Sequence, residues 1–167
     1  YSQFGEEDNT RNGATQGPCA TGLVDLNTTT DNDGECTVGF TRTGEWLEYE
    51  IVANSDALYD VIFRAASLDA GKQVVLSIDG VDVGNFDGPA QGWDKYSDEI
   101  VRGVNITTGN HTVRITFMEG GVNLNYFEFK EATQANSSSA QSNSSAINTT
   151  PIDPKGFEGP LFGGLTE

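Results

Sequence analysis

The chain has 167 residues, of which 36% are hydrophobic, and a formal net charge of −16. That length holds one domain, or one domain and a tail, and the apolar share makes a core only if it is concentrated. So acidic a balance excludes nucleic acid, whose affinity comes from Lys and Arg neutralising phosphates, and argues equally against anionic membrane surfaces. It suits solubility in an extracellular medium, and carboxylates are also the hard oxygen ligands that calcium takes.

In chain order, residues 1–35 are dense in Gly, Asn, Asp and Thr and read as long loops. Cys19 and Cys36 bracket a short polar stretch of this region. They are either a disulfide, if the compartment oxidises, or two free thiols. Two Cys and the distant His111 cannot supply the four ligands of a zinc site.

From Cys36 to Lys130 the pattern changes to short runs of period-two alternation. Leu47, Tyr49 and Ile51 alternate with Trp46, Glu48 and Glu50. Tyr59, Val61 and Phe63 share a face, as do Val74, Leu76 and Ile78, then Val113, Ile115 and Phe117, then Asn125, Phe127 and Phe129. Successive side chains of a strand point to opposite faces, so each run offers one apolar face to a core. Asp79-Gly80 is a hairpin signal. Thr108-Gly109-Asn110 and Gly120-Gly121 are further turns. Short strands at this spacing, without a helical period, predict an all-β antiparallel sandwich or barrel.

From Glu131 onward the chain is polar and of low complexity. Residues 132–156 read as a disordered Ser/Asn/Thr-rich linker, because such a composition buries too little surface to offset its ordering entropy. Residues 157–167 carry Phe157, Leu161, Phe162 and Leu165 and are either the start of another domain or a docking peptide. N-glycosylation sequons occur at Asn27, Asn105, Asn110, Asn136, Asn143 and Asn148, which hints at a secretory route. The chain begins at Tyr1 with no targeting segment, as expected of a processed piece of a longer extracellular chain.

Catalysis finds no support. A glycosidase needs two carboxylates flanking a cleft, but Glu6, Glu7, Asp8, Glu45, Glu48, Asp94 and Asp98 are too many to single out a pair. His111 follows a turn, and no nucleophile elbow or phosphate loop is present. Sugar binding asks for aromatic rings that a soluble domain otherwise hides, with amides and carboxylates to hold hydroxyls. Phe40, Trp46, Trp93, Tyr96 and Tyr126 are the candidates. Trp93 stands out, because it follows the loop Gly88-Pro89-Ala90-Gln91-Gly92, where a Trp has no core face to fill. Phe40, at a strand end, suits core or platform equally. Asn123 and Asn125 are unusual for a strand, which disfavours Asn.

"TVGFTRTGEWLEYEI" (37–51), Gly92-Trp93, "GNHTVRITF" (109–117) and "GGVNLNYFEF" (120–129) closely resemble carbohydrate-binding module family 6. The upstream "YSQFGEEDNTRNG" and "VDLNTTTDNDGECTVGF" are similar to its agarase- and β-glucanase-associated members. The resemblance covers residues 1 to about 131, taken here as one domain. It implies a β-jelly-roll sandwich, no catalytic activity, a structural calcium, a sugar cleft in the loops at one rim and a second cleft on a sheet face. In the rim cleft Phe40 takes the place of an aromatic that is usually Tyr or Trp. Trp93 takes the opposing ring, and Asn123 the polar residue between them. A Cys19–Cys36 disulfide would brace the loop leading into Phe40. The family's opening acidic strand would lie before Tyr1, so Asp25 and Asn125, with Glu6 and Glu7, are the calcium candidates. The expected function is tethering to a β-glucan, xylan or galactan. The alternative is a structural or adhesive building block with a vestigial sugar site. A small lectin-like enzyme ranks below both.

Overall fold

The computed structural model describes residues 3–5, 13–14, 17–20, 24–31 and 35–132. The predicted linker beyond Ala132 and the peptide 157–167 lie outside them. Residues Tyr1–Thr133 form one compact unit. No helix among the described residues is long and apolar enough to cross a membrane.

The period-two runs become two five-stranded sheets. The first orders β1 (Gln3–Gly5), β4 (Trp46–Ala53), β9 (Gly109–Phe117), β6 (Gln73–Ile78) and β7 (Val81–Asp87). The second orders β2 (Leu26–Thr28), β3 (Cys36–Val38), β10 (Val122–Glu131), β5 (Ala57–Ser67) and β8 (Gly92–Ile106). All pairings are antiparallel. From β3 to β10 the chain crosses repeatedly between the sheets, as a jelly-roll sandwich requires. The loop reading of residues 1–35 missed β1 and β2. Their short polar sequences carry little alternation, and pairing with β4 and β3 is what makes them strands.

The inward faces are those the alternation marks. Val61, Phe63, Val74, Leu76, Val113, Ile115 and Phe117 are all buried. The two sheets meet along an aromatic seam. Phe63 stacks on Phe86 of the first sheet at 4.8 Å and on Phe127 at 5.9 Å. Phe127 meets Tyr49 of the first sheet edge-on at 4.8 Å. On β10 the alternation misleads. A bulge between Leu124 and Tyr126 inserts Asn125, so Leu124 and Phe127 both reach the core. Asn125 itself turns to Asp31, its amide donating to Oδ2 at 3.0 Å.

Turn chemistry sets the hairpins. Asp79 and Gly80 have φ of 52° and 79° and join β6 to β7 as a type I′ turn. The β8–β9 turn falls on Thr107-Thr108, one residue earlier than the sequence suggests. There Asp56 accepts from the Thr108 amide at 2.6 Å and its hydroxyl at 2.8 Å. Cys19 and Cys36 form a disulfide with a Cα separation of 5.5 Å. Closing a loop of 17 residues stabilises a fold by about 3 kcal/mol.

His111 ties the two turns together. Its Nδ1 bonds Asp79 Oδ2 at 2.7 Å and its Nε2 bonds the Thr107 carbonyl at 2.8 Å. Both partners are acceptors, so only the imidazolium, with both ring nitrogens donating, satisfies the two contacts together. The hydrogen bond to Asp79, then that to Thr107, raises the His111 pKa above its ordinary 6.5. The same bond from His111, with the Thr112 amide, lowers Asp79 below 3.8. The pair's contribution is therefore complete between pH 3.8 and 6.5. It is lost as pH rises through the elevated His111 pKa, or falls through the depressed Asp79 pKa. Melting temperature should accordingly decline from pH 6 towards pH 9, and His111→Gln should flatten that decline; an unchanged slope in the variant would refute the assignment.

Candidate functional site

One rim of the second sheet, where β3 and β5 end and β8 and β10 begin, gathers the residues the sequence singled out. A cleft of about 450 Å³ is lined by Asn27, Phe40, Trp93, Asp94, Gly121 and Asn123. Phe40, Trp93 and Asn123 are thus brought together. Trp93 is the second residue of β8 rather than part of a loop. It is 44% exposed, and Phe40 is 49% exposed.

Hydrogen bonds to strand ends position each ring. Phe40 follows β3 in the left-handed region, with φ of 54°, a conformation that costs roughly 1–2 kcal/mol for a residue with a Cβ. Its neighbours hold it there. The Gly39 amide donates to the Asp25 carbonyl at 2.9 Å. The buried Thr41 hydroxyl accepts from the Val122 amide at 2.9 Å and donates to the Val122 carbonyl at 2.8 Å. Thr41 thereby locks the loop after β3 to the start of β10, one residue from Asn123. On the other side, the fully buried Ser67 hydroxyl accepts from the Ala90 amide at 3.0 Å. Ala90 is also left-handed, with φ of 57°. The Asn123 amide donates to the Trp93 carbonyl at 2.9 Å. That bond fixes which way the amide faces, because a carbonyl accepts only from its NH₂. A Cβ on Gly39 would sit 3.1 Å from Asn123 Oδ1, so glycine there keeps the amide oxygen accessible.

Sequence reasoning missed several of these residues. Asn27 was noted only as a sequon, and Asp94 only among many carboxylates. Thr41 and Ser67 went unmarked, because a hydroxyl that bonds backbone 81 or 23 residues away leaves no local pattern. The other aromatic candidates do not line the cleft. Tyr96 and Tyr126 are half-buried. Trp46 lies on the first sheet, with the Arg114 guanidinium 4.1 Å over its ring. Arg114 is in turn held by Glu48 at 2.7 Å. The same sheet face carries a polar depression of about 320 Å³, lined by Glu48, Ser77, Gly80, Asp82, Thr112, Arg114 and Thr116. The resemblance implied a second cleft on a sheet face without saying which; on this face the Trp46 ring is covered by Arg114.

Of the carboxylates considered for catalysis, Glu45, Glu48 and Asp98 have structural partners, while Asp94 lines the cleft. Glu45 is buried and accepts from the Arg42 amide at 2.7 Å. Asp98 pairs with Arg64 at 3.2 Å. The calcium candidates are also engaged. Asp25 is buried and its Oδ1 accepts from the Gly13 amide at 3.2 Å. Asn125 bonds Asp31, whose carboxylate takes Arg64 at 2.7 and 2.8 Å. Among the described residues no group of three or more His, Cys, Asp or Glu side chains could hold a metal. Glu6 and Glu7 lie outside the described residues.

Residues 18–131 match the family described as carbohydrate binding module (family 6). No curated protein matches the chain. Among solved structures, the carbohydrate-binding module of Cellvibrio mixtus lichenase 5A, in complex with cellotriose, is 29% identical with a TM-score of 0.60; the match covers 65% of this chain and 87% of that one. A family 6 module from Clostridium cellulolyticum in complex with xylose is 26% identical with a TM-score of 0.55, over 65% and 87% of the two chains. The C-terminal family 6 module of a laminarinase from Zobellia galactanivorans, at 22% identity and a TM-score of 0.60 over 65% and 88%, shares the fold. By its sequence, its sandwich and its rim cleft, the chain belongs to carbohydrate binding module family 6.

Proposed function

We propose that this chain is a non-catalytic extracellular module that binds a polysaccharide of the β-glucan, xylan or galactan type through the Phe40–Trp93–Asn123 cleft. The observation that carries the reading is the state of Phe40. A bulky aromatic is held half-exposed in the left-handed region, where it gains little burial in return. Strain kept by surrounding hydrogen bonds points to use of the side chain rather than to folding. Phe40 and Trp93 offer flat faces for the C–H surfaces of a sugar ring. The Asn123 amide, oriented by the Trp93 carbonyl, offers an acceptor and a second N–H for its hydroxyls. The relative crystallised with cellotriose supports a β-linked ligand, and the one crystallised with xylose supports a pyranose sugar.

The disulfide supports an oxidising compartment. Asn27, Asn105 and Asn110 are exposed, as glycosylation requires, whereas Asn136, Asn143 and Asn148 lie outside the described residues. A glycan on Asn27 would fill the cleft that Asn27 lines, so the binding form carries none there. Phe40 lacks the hydroxyl of a tyrosine, which favours the structural or adhesive alternative to that extent.

An affinity-gel screen of the chain over β-glucans, xylans and agars, with calcium present, tests the proposal. Trp93→Ala should abolish the hit while changing unfolding free energy by less than about 0.5 kcal/mol; a large loss of stability would make Trp93 a core residue instead. Phe40→Gly should lose binding yet gain up to about 1 kcal/mol of stability, because glycine accepts the left-handed backbone. A clear destabilisation in urea melts would remove the strain from the account. A structural calcium, drawing on Glu6 or Glu7 beside Asp25 or Asn125, would raise the melting temperature by mass action. An identical melt after chelation would eliminate it.

A further inference from the structure

The cleft has an open neighbour. A second depression, of about 570 Å³, is lined by Thr41, Arg42, Thr43, Lys72, Glu119 and Gly120. Phe40 and Gly121 line the cleft, and their chain neighbours Thr41 and Gly120 line the depression. The boundary between the two hollows is therefore made of two short backbone segments, Phe40-Thr41 and Gly120-Gly121. They are stitched together. The Gly121 amide donates to the Thr41 carbonyl at 2.9 Å, and the Gly120 amide to the Thr43 hydroxyl at 3.3 Å.

The boundary is low because glycine is required at both of its later positions. A Cβ on Gly120 would run into the Thr41 carbonyl oxygen. Gly121 has φ of 93°, where a side chain is strained. With no side chain rising from either residue, the two form a saddle rather than a wall. A Cβ on Gly121 would lie 3.5 Å from the Trp93 ring edge and 3.5 Å from Lys72 Cε. Trp93 flanks the saddle on the cleft side and Lys72 on the side of the depression.

Backbone bonds fix the far side of the saddle. The Lys72 carbonyl accepts from the Gly88 amide at 3.0 Å, and the Gln73 carbonyl from the Met118 amide at 2.9 Å. Glu119 Oε2 accepts from the Gln73 amide at 3.1 Å. The other Glu119 oxygen and the half-buried Lys72 side chain have no partner among the described residues. An acceptor and a donor of opposite charge in one open hollow suit uncharged hydroxyls, which give to the one and take from the other.

We infer that the ligand crosses this saddle: the protein binds an internal run of a polysaccharide chain, with one sugar ring on Phe40 and Trp93 and the following units in the depression, their hydroxyls bonded to Glu119 and Lys72. The inference rests on the carbohydrate-binding reading and adds to it a second subsite and a length of chain.

The test is calorimetric titration of the chain with cello-, xylo-, laminari- and agaro-oligosaccharides, each from the disaccharide to the hexasaccharide. In at least one series the hexasaccharide should bind about tenfold more tightly than the disaccharide, the yield of two hydrogen bonds made in partial contact with water. Lys72→Met with Glu119→Ala should remove most of that ratio, and each single substitution should remove part of it. Melting temperature, read on the same samples, shows that the variants are folded. Trp93→Ala should lose binding at every length. If short and long members bind alike, the cleft takes a chain end or a single unit; this inference falls and the carbohydrate-binding reading stands. A gain with length that survives the double substitution overturns it too, because longer chains then gain only by offering more places to bind. If no member of any series binds the folded protein, both readings fall.

Discussion

The contact on which this molecule depends is the aromatic seam between its sheets. Phe63 sits fully buried at its centre, stacked between Phe86 and Phe127, with Tyr49 completing the row. Rings of this size are the largest source of apolar burial in a domain that has few of them. They fix how β5 and β10 of one sheet lie over β4 and β7 of the other. The strand ends at the rim inherit that geometry. Phe40, Trp93 and Asn123 come from three distant parts of the chain, and their convergence follows from the pairing of β3, β5 and β8 with their neighbours.

On that frame, a small set of hydrogen bonds converts strand ends into a binding surface. Thr41 and Ser67 are buried hydroxyls whose only described partners are backbone groups of the loops they hold. Each supports a residue in the left-handed region, Phe40 beside Thr41 and Ala90 bonded by Ser67. Leaving such buried groups unpaired costs about 1–3 kcal/mol each, so the loops are firmly placed despite lying at the surface. A preorganised aromatic platform loses little entropy when a flexible glycan arrives. The protein thus meets the ordering cost at folding rather than at binding.

The fold was largely legible because its strands have one wet face. The runs around Leu47, Val61, Leu76 and Ile115 alternate cleanly, and the core takes the face they mark. Asp79-Gly80 announced its turn, since few other dipeptides accept two positive φ values in succession. The reading failed where structure comes from partners distant in sequence. β1 and β2 are strands only because β4 and β3 pair with them. The bulge at Asn125 shifts the inward face by one residue, and period-two counting has no means of seeing an inserted residue. At the site, Trp93 was visible because a Trp beside a glycine-rich loop has no core to enter. Thr41, Ser67 and Asn27 were not, because their meaning lies in what they stand beside.

The central claim is that Trp93 lies against a sugar ring when ligand binds. Trp46 and Trp93 are the only tryptophans in the chain, so Trp46→Phe leaves a single reporter at the cleft. Fluorescence of that variant should be followed during titration with cellotriose, xylotriose and laminaritriose, with calorimetry on the same samples. The account predicts a saturable shift of Trp93 emission to shorter wavelength with at least one of them, at the concentrations where calorimetry shows binding. Binding heat with no change in Trp93 emission would place the sugar elsewhere on the molecule and contradict the account.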